Sequence, residues 1–292
     1  MKKRVTSMLL AVLLLCAFCC PVRTEAAMTG NDSYKAVWFS YYDFQNYLKQ
    51  AKGNNETNFR NYFDKVLDQC LSDLLQTPIH TLGASRTDAG VHALGNIAVF
   101  DTEARMPADK YAFALNTRLP EDIRIQKSEE VSPDFHPRFC HTIKTYEYRI
   151  LNRTFPDPTR RFNSVHIYGN LDIEAMQRAA SYLEGTHDFK SFATENPQVT
   201  DTVRTIYKTK LWKEEDMIRF RITGNGFLYN MVRIIVGTLL EVGKGAILAE
   251  NIPVILEAKD RTKAGPTARA KGLTLIQIRY PDEDAVETAD KI

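Results

Sequence analysis

The sequence is poor in cysteine, and most of what it has lies near the N-terminus. Of the five cysteines in 292 residues, Cys16, Cys19 and Cys20 fall within the first twenty positions. Cys70 and Cys140 remain, too few and too isolated for a disulfide framework or a cysteine-based metal site. No Cys/His spacing suggests zinc ligands either. We therefore expect no metal in the chemistry of this chain.

The chain also lacks a strong net charge. Its 38 basic and 36 acidic side chains give a formal charge of +2. Residues 1–27 hold four of the basic side chains and one acid, so the remainder has 34 basic and 35 acidic residues, a net charge of −1. Binding to nucleic acid would therefore depend on local basic clusters and not on the total charge.

The apolar run near the N-terminus is too short for a comfortable membrane span. It covers residues 8–20, about 13 positions, where a spanning helix needs about 20. The basic Lys2-Lys3-Arg4 precedes it, and the small residues Ala26 and Ala27 follow. This arrangement is typical of a secretory signal peptide, so residues 1–27 predict export.

The rest of the chain differs in composition from one part to the next. Residues 28–57 contain an aromatic-rich stretch and a polar linker, and apolar residues at helical spacing predict a helix over 58–76. A mixed body continues to Tyr280, and the acidic residues 282–292 predict a disordered tail.

Within the body, patterning predicts both strands and helices. The predicted strands are 79–83, 95–100, 144–151, 203–212, 218–224 and 273–280, and the predicted helices are 107–115, 172–183 and 227–242. Their order indicates an α+β fold with two ferredoxin-like halves.

The most informative segment is residues 83–93, G-A-S-R-T-D-A-G-V-H-A. Asp88-Ala89-Gly90 is a turn signal, because Gly90 can adopt a positive φ. The loop would project a carboxylate and a guanidinium, from Arg86, between two strands. The eight residues R-T-D-A-G-V-H-A resemble the signature of the TruA family of tRNA pseudouridine synthases.

The resemblance continues in the family's order over roughly 210 of the 292 residues, from about 71 to 280. The segments that carry it are F-H-P-R-F at 135–139, K-T-Y-E-Y-R-I at 144–150, G-T-H-D-F-K-S-F at 185–192, T-V-R-T-I at 202–206, G-F-L-Y-N-M-V-R at 226–233 and D-R-T-K-A-G-P-T-A at 260–268.

The resemblance implies a fold and an activity. The fold would be two ferredoxin-like lobes, residues 58–160 and 161–281, forming one continuous, mostly antiparallel sheet with helices on one face and the catalytic cleft between the lobes. The activity would be isomerisation of uridine to pseudouridine at positions 38–40 of the tRNA anticodon stem-loop. It needs no cofactor. By resemblance the enzyme is a cytoplasmic homodimer that grips one tRNA.

The resemblance also assigns catalytic roles. Asp88 would be the nucleophile, attacking either C6 of the base or C1′ of the ribose. A buried carboxylate needs a nearby cation to stay ionised, and Arg233 is the implied partner. Tyr146 would stack on the flipped uracil, whereas Tyr148 is expected in the core. Arg86 would fill the place that the uridine leaves.

Two basic clusters are candidates for phosphate contacts. The first includes Arg138, Lys144, Arg160 and Arg161, and the second includes Arg261 and Lys263. Each could equally be an ordinary solvated face.

The N-terminal part departs from the family pattern. The family opens with a strand and loop reading roughly Y-D-G-x-x-[FY]-x-G-W-Q, which this chain lacks, whereas residues 35–44 weakly resemble secreted, glycosidase-like barrel lipoproteins. We interpret 28–57 as a foreign leader joined by gene fusion, with 34–44 as a surrogate first strand. An RNA-binding pseudoenzyme with impaired catalysis and a secreted carbohydrate-active protein are the alternatives.

Overall fold

The computed structural model describes residues 33–41, 62–85, 87–194 and 199–281. The signal-like segment 1–27, the tail 282–292 and Arg86 lie outside these ranges, as does most of 28–57. No helix in the described ranges has both the length and the apolar character needed to cross a membrane.

In the described part of the chain, ten strands form a single sheet. They are β1 Ser33–Tyr41, β2 Leu82–Gly83, β3 His92–Thr102, β4 Ile123–Glu130, β5 Ile143–Asn152, β6 Val165–Ile167, β7 Gly185–Asp188, β8 Val203–Glu214, β9 Met217–Gly224 and β10 Leu273–Arg279. Their main order is β4-β1-β3-β10-β5-β9-β8-β7, with β2 beside β3 and β6 beside β5. Among the described pairs only β3–β10 and β5–β6 are parallel. The prediction of an α+β fold with one continuous, mostly antiparallel sheet is confirmed.

Five α-helices accompany the sheet in the described ranges. They are α1 Tyr62–Leu75, α2 Tyr111–Asn116, α3 Ile173–Ser181, α4 Met231–Gly243 and α5 Ile252–Ala258. Asp172 caps α3, because its side chain accepts a hydrogen bond from the Ala175 N–H. Asn230, at φ +60°, turns the chain into α4, which therefore begins later than the predicted 227.

The hydrophobic core lies between one face of the sheet and the helices α3 and α4. Alternate residues of β5 and β9, among them Tyr148 and Phe220, are buried in it together with Met176 of α3 and Ile235 of α4. The residues between them, such as Arg219, point to the other side of the sheet. This alternation gives β5 and β9 one apolar and one polar face.

The strand predicted over 79–83 is shorter than expected, since β2 covers only Leu82–Gly83. The preceding N–H groups bond to side chains of α1 instead of another strand. The Ile79 N–H donates to Ser72 Oγ at 2.9 Å and the Thr81 N–H to Asp68 Oδ1 at 2.7 Å. Backbone donors satisfied in this way do not extend a sheet.

Strand β1 occupies an interior position. It pairs antiparallel with β3 on one side and with β4 on the other. Val37 is fully buried, and Lys35, 5% exposed, forms an ion pair with Glu130 at 2.8 Å. The interpretation of 28–57 as foreign to the family, and the lobe boundaries near 160, stay predictions.

Candidate active site

The loop between β2 and β3 carries Asp88, and two hydrogen bonds hold the start of this loop against β3. The Ala84 N–H donates to Ile97 O at 2.7 Å, and Asn96 Nδ2 donates to Ser85 O at 3.1 Å. Beyond the carboxylate, Gly90 adopts φ +85°, a conformation that suits glycine. The turn predicted from Asp-Ala-Gly is therefore present.

Asp88 is paired with a cation from a distant part of the chain. Its Oδ2 accepts a hydrogen bond of 3.0 Å from Nη1 of Arg233, which lies in the first turn of α4. The Asp88 and Arg233 side chains are only 20% and 18% exposed. The ion pair implied by the resemblance is formed, and the shielded site holds two opposite charges in contact.

Arg233 is fixed by two further bonds. Its Nε donates to Ala268 O at 2.8 Å, and its Nη1 also donates to Asn230 Oδ1 at 2.7 Å. The Ala268 N–H in turn donates to Arg233 O at 3.0 Å. The guanidinium therefore meets Asp88 in one orientation.

The loop 260–268 reaches this position because two glycines allow close packing on α4. The Gly265 N–H donates to Thr238 Oγ1 at 2.9 Å. A Cβ at Gly237 would lie 1.6 Å from Pro266 O, and one at Gly265 would lie 2.7 Å from Thr238 Cα. The A-G-P-T-A segment thus supports the ion pair.

Tyr146 lies next to the loop that carries Asp88. It is 8% exposed, its hydroxyl is 3.4 Å from Ser85 Oγ, and its ring meets Phe227 edge-to-face at 5.2 Å. Burial raises the pKa of Tyr146, the Ser85 contact opposes that rise, and the negative charge of Asp88 adds to it. The structure therefore brings Asp88 and Tyr146 together, with the phenol neutral at physiological pH.

Tyr148 belongs to the core, as predicted. It is fully buried, its hydroxyl donates to Arg269 O at 2.7 Å, and a Cβ at Gly272 would lie 2.6 Å from its ring. Tyr148 thereby ties β5 to the segment that enters β10.

Two of the predicted phosphate-binding residues border the loop that carries Asp88. Arg138 Nε donates to Gly83 O at 2.7 Å, at the start of the loop. Lys144, two residues before Tyr146, is half-buried, and burial together with the charge of Arg138 lowers its pKa to about 8. Two neighbouring cations thus lie close to Tyr146 and to the start of the Asp88 loop.

Arg160 and Arg161 are exposed on a different loop. Arg160 Nε is 3.6 Å from Asp157 Oδ2, and the Arg161 guanidinium stacks over the Phe162 ring at 4.4 Å. Lys271 Nζ donates to Arg161 O at 2.9 Å, which joins this loop to the segment before β10. Both arginines remain accessible to solvent.

His92 also anchors that loop, a role that could not be predicted from the sequence pattern. It is 1% exposed, and its Nε2 lies at hydrogen-bond distance, 2.8 Å, from Phe162 O. Burial lowers the pKa of His92, against the effect of its bonds to the Phe162 and Lys271 backbone. Its position in R-T-D-A-G-V-H-A indicated a site but not a partner.

Arg261 and Lys263 lie in the loop that packs on α4. Arg261 bonds within its own loop, to Ala264 O and Thr267 Oγ1 at 3.3 Å each, whereas Lys263 is exposed. Arg261 therefore stabilises the conformation of the loop and also adds a positive charge to it.

The predicted role of Arg86 falls outside the described residues. Within those residues, no group of three or more His, Cys, Asp or Glu side chains is arranged to hold a metal ion.

A family model described as tRNA pseudouridine synthase matches residues 41–140 and 179–281. Asp88, Arg233, Arg138, Arg261 and Lys263 lie in the matched segments. Residues 141–178, with Lys144, Tyr146, Arg160 and Arg161, lie between them.

Curated relatives match most of the chain. The tRNA pseudouridine synthase A of Acetivibrio thermocellus is 45% identical over 239 residues, covering 82% of this chain and 96% of the relative. The protein of the same name from a Thermoanaerobacter species is 48% identical over 216 residues, 74% of this chain and 88% of the relative. That of Halalkalibacterium halodurans is 46% identical over 231 residues, 79% and 86% respectively.

The family match begins at residue 41, earlier than the boundary near 71 that the motifs predicted. It thus reaches into the segment interpreted as foreign, and that interpretation has no support from the comparison. With the matched segments covering both the loop that carries Asp88 and the α4 helix, the chain belongs to the tRNA pseudouridine synthase family.

Proposed function

We propose that this chain isomerises uridine to pseudouridine in tRNA, with Asp88 as the nucleophile. The observation that carries the proposal is the 3.0 Å ion pair between Asp88 and Arg233 beside the buried Tyr146. A shielded carboxylate with a fixed cation is suited to attack and then to leave.

The reaction makes limited demands on the protein. The C1′–N1 bond breaks, the uracil turns, and a C1′–C5 bond forms, while C5 loses a proton and N1 gains one. No electrons enter or leave, so no redox cofactor is required. Asp88 forms a transient bond, at C6 or at C1′, and is released when the product forms.

Positioning of the base is the second demand. The uridine has to leave its stack, at a cost of a few kcal/mol. Tyr146 would stack on the uracil, worth about 1–3 kcal/mol, and the edge-to-face contact with Phe227 holds its ring for that purpose. Arg86 would occupy the place that the uridine leaves.

The substrate would be the anticodon stem-loop at positions 38–40, bound by a homodimer. Phosphate contacts would come from Arg138 and Lys144 beside the nucleophile loop, from Arg160 and Arg161, and from Arg261 and Lys263. The exposed positions of Arg160, Arg161 and Lys263 support this part of the proposal.

The test is the product. Purified protein is incubated with unmodified tRNA transcript, and pseudouridine is measured by mass spectrometry of the digested RNA. Asp88→Asn should abolish the product, because an amide cannot act as the nucleophile, while tRNA affinity changes little. Asp109→Asn, an exposed carboxylate paired with Lys110, is the matched control and should remain active.

Turnover by purified Asp88→Asn would contradict the role of Asp88. Absence of pseudouridine from the unaltered protein, with tRNA binding retained, would contradict the activity and favour the impaired RNA-binding alternative.

A further inference from the structure

The face of the sheet opposite the core carries a further concentration of positive charge, formed by β5, β9 and β8. Between β5 and β9, Arg149 lies opposite Arg219, and Glu147 lies opposite Arg221. Between β9 and β8, Arg221 lies opposite Lys210. They alternate with core residues such as Tyr148 and Phe220 and therefore point to the other side.

Glu147 organises three of these cations. It is 1% exposed and contacts Arg149 Nε at 3.0 Å, Arg219 Nη1 at 3.1 Å and Arg221 Nη2 at 2.7 Å. Burial alone would raise the pKa of Glu147, but the bonds and charges of Arg221 and Arg149 lower it overall. The carboxylate is thus ionised at neutral pH, one negative charge among three positive ones.

Glu147 contacts only part of each arginine side chain, so most of the guanidinium N–H donors do not bond to Glu147. Each contact with Glu147 uses one nitrogen, whereas a guanidinium offers five N–H donors in a rigid fork. The side chains of Arg149, Arg219 and Arg221 are 23%, 31% and 46% exposed. Glu147 therefore holds them in place without removing them from solvent.

Strand β8 extends the charge. Lys210 Nζ and the Arg221 guanidinium lie 5.2 Å and 5.5 Å from the Trp212 ring centre. The Trp212 Nε1–H donates to Glu214, which also lies 3.3 Å from Arg219. Four cations thus face two carboxylates. We call this set, Glu147, Arg149, Lys210, Trp212, Glu214, Arg219 and Arg221, the rear basic face.

We propose that the rear basic face binds backbone phosphates of the tRNA outside the anticodon stem-loop. The inference rests on the proposed function, since it concerns a further part of the same substrate. Guanidinium groups held at fixed spacing suit phosphate oxygens. Because the Trp212 ring is already occupied by two cations, the face offers charge more than base stacking.

The same charges argue against a second copy of the chain on this face. An isologous contact would place a patch with four cations and two carboxylates against an identical patch. Like charges brought together cost free energy, whereas a polyanion releases its counterions on binding. Moreover, Tyr146 and Glu147 are adjacent in β5 and point to opposite sides, so this face is separate from the site of Asp88.

The test compares two RNAs and two double variants. Lys210→Gln with Arg221→Gln removes two exposed charges of the rear basic face. Lys65→Gln with Arg178→Gln removes two exposed charges from helices α1 and α3 and is the matched control. Affinity for full-length tRNA and for the isolated anticodon stem-loop is measured by fluorescence anisotropy over a series of KCl concentrations.

With full-length tRNA, each lost contact should reduce the log–log salt slope by about 0.7–0.9. A fourfold rise in KCl should then weaken binding of the unaltered protein about 7- to 12-fold more than binding of the Lys210/Arg221 variant. The stem-loop should show equal slopes for both, and the control variant should match the unaltered protein with either RNA.

An unchanged slope with full-length tRNA would overturn the inference, as would an equal reduction with the stem-loop alone. A change of sedimentation coefficient in the Lys210/Arg221 variant would also overturn it, by indicating a contact between copies. The outcome is separate from catalysis, since pseudouridine formation in the stem-loop by the unaltered protein tests the proposed function on its own.

Discussion

At the scale of single residues, Lys144 is a cation of the site whose charge changes within an accessible pH range. Its pKa, lowered to about 8 by burial and by Arg138, means that the ammonium is present at pH 7 and lost by pH 9. If it contacts a phosphate, tRNA affinity should fall over that range by about tenfold, the value of one charge-assisted hydrogen bond. Lys144→Gln should bind about tenfold more weakly at pH 7, and the two proteins should converge at pH 9.

The measurement is the dissociation constant for tRNA at constant ionic strength across that range. Lys65→Gln, an exposed lysine of α1, should parallel the unaltered protein. Because the pKa of Lys271 is lowered as well, only the difference between Lys144→Gln and the unaltered protein isolates Lys144. A difference that is constant with pH would contradict the prediction.

The residues of the candidate site could be predicted from sequence motifs. The contacts that depend on how two strands are aligned in the sheet could not. Asp88, Arg233 and Tyr146 each stand in a recognisable string, and the structure brings them together. Glu147 stands in such a string too, yet its three arginine partners depend on how β5 pairs with β9. A one-residue shift of that pairing would turn the arginines to the other face, and local sequence does not fix the register.

At the scale of elements, helix α4 and the loop 264–268 form one support for Arg233. Gly237→Ala would place a Cβ 1.6 Å from Pro266 O, so the loop has to move away from the helix. Overpacking of this kind costs about 1–3 kcal/mol, and the displaced loop would also loosen the bond between Arg233 and Ala268 O. We expect Gly237→Ala to lower the melting temperature. We also expect it to reduce pseudouridine formation by more than the fraction of unfolded protein accounts for.

Thermal unfolding and the product assay check this prediction. Gly226→Ala is the stability control, because a Cβ there would meet Arg204 only at 3.7 Å. If the Gly237→Ala protein is as stable as the control, the loop 264–268 can move away from α4 without lowering the free energy of unfolding, and the prediction is wrong.

Helices and strands with a strong apolar periodicity could be predicted from the sequence. Strands that are stabilised mainly by pairing with a distant strand could not. The predicted strand 144–151 is β5, and the predicted helix 172–183 is α3 with its Asp172 cap. Strand β4 was missed because half of it is polar, K-S-E-E at 127–130, and its partner β1 is more than eighty residues away. Such a strand is specified by backbone pairing more than by side-chain pattern.

At the scale of the whole molecule, β1 connects β4 to the rest of the sheet. Removing residues 1–32 takes away no described residue and should leave a soluble protein. Removing residues 1–57 takes away β1, exposes the edge of β3 and separates β4 from its described partner. An unpaired edge favours association between copies, so the shorter chain should aggregate.

Size-exclusion chromatography and light scattering of the two truncated chains check this prediction. A soluble, monodisperse chain of residues 58–292 would show that β1 is not needed for the fold. The overall sheet order could not be predicted from the sequence, because it depends on where the last strand inserts.

That insertion has a consequence for synthesis on the ribosome. Strand β10 pairs with β3 through Thr274 and Leu275, and with β5 along most of its length. It is the last described strand to be made, yet the halves that carry Asp88 and Tyr146 meet in the sheet through it. The edges of β3 and β5 that β10 joins therefore pair only once residues 273–279 are available, since contacts of such long range form last. A chain that ends before residue 273 would lack the strand through which the two halves pair in the sheet, and we expect it to form no pseudouridine.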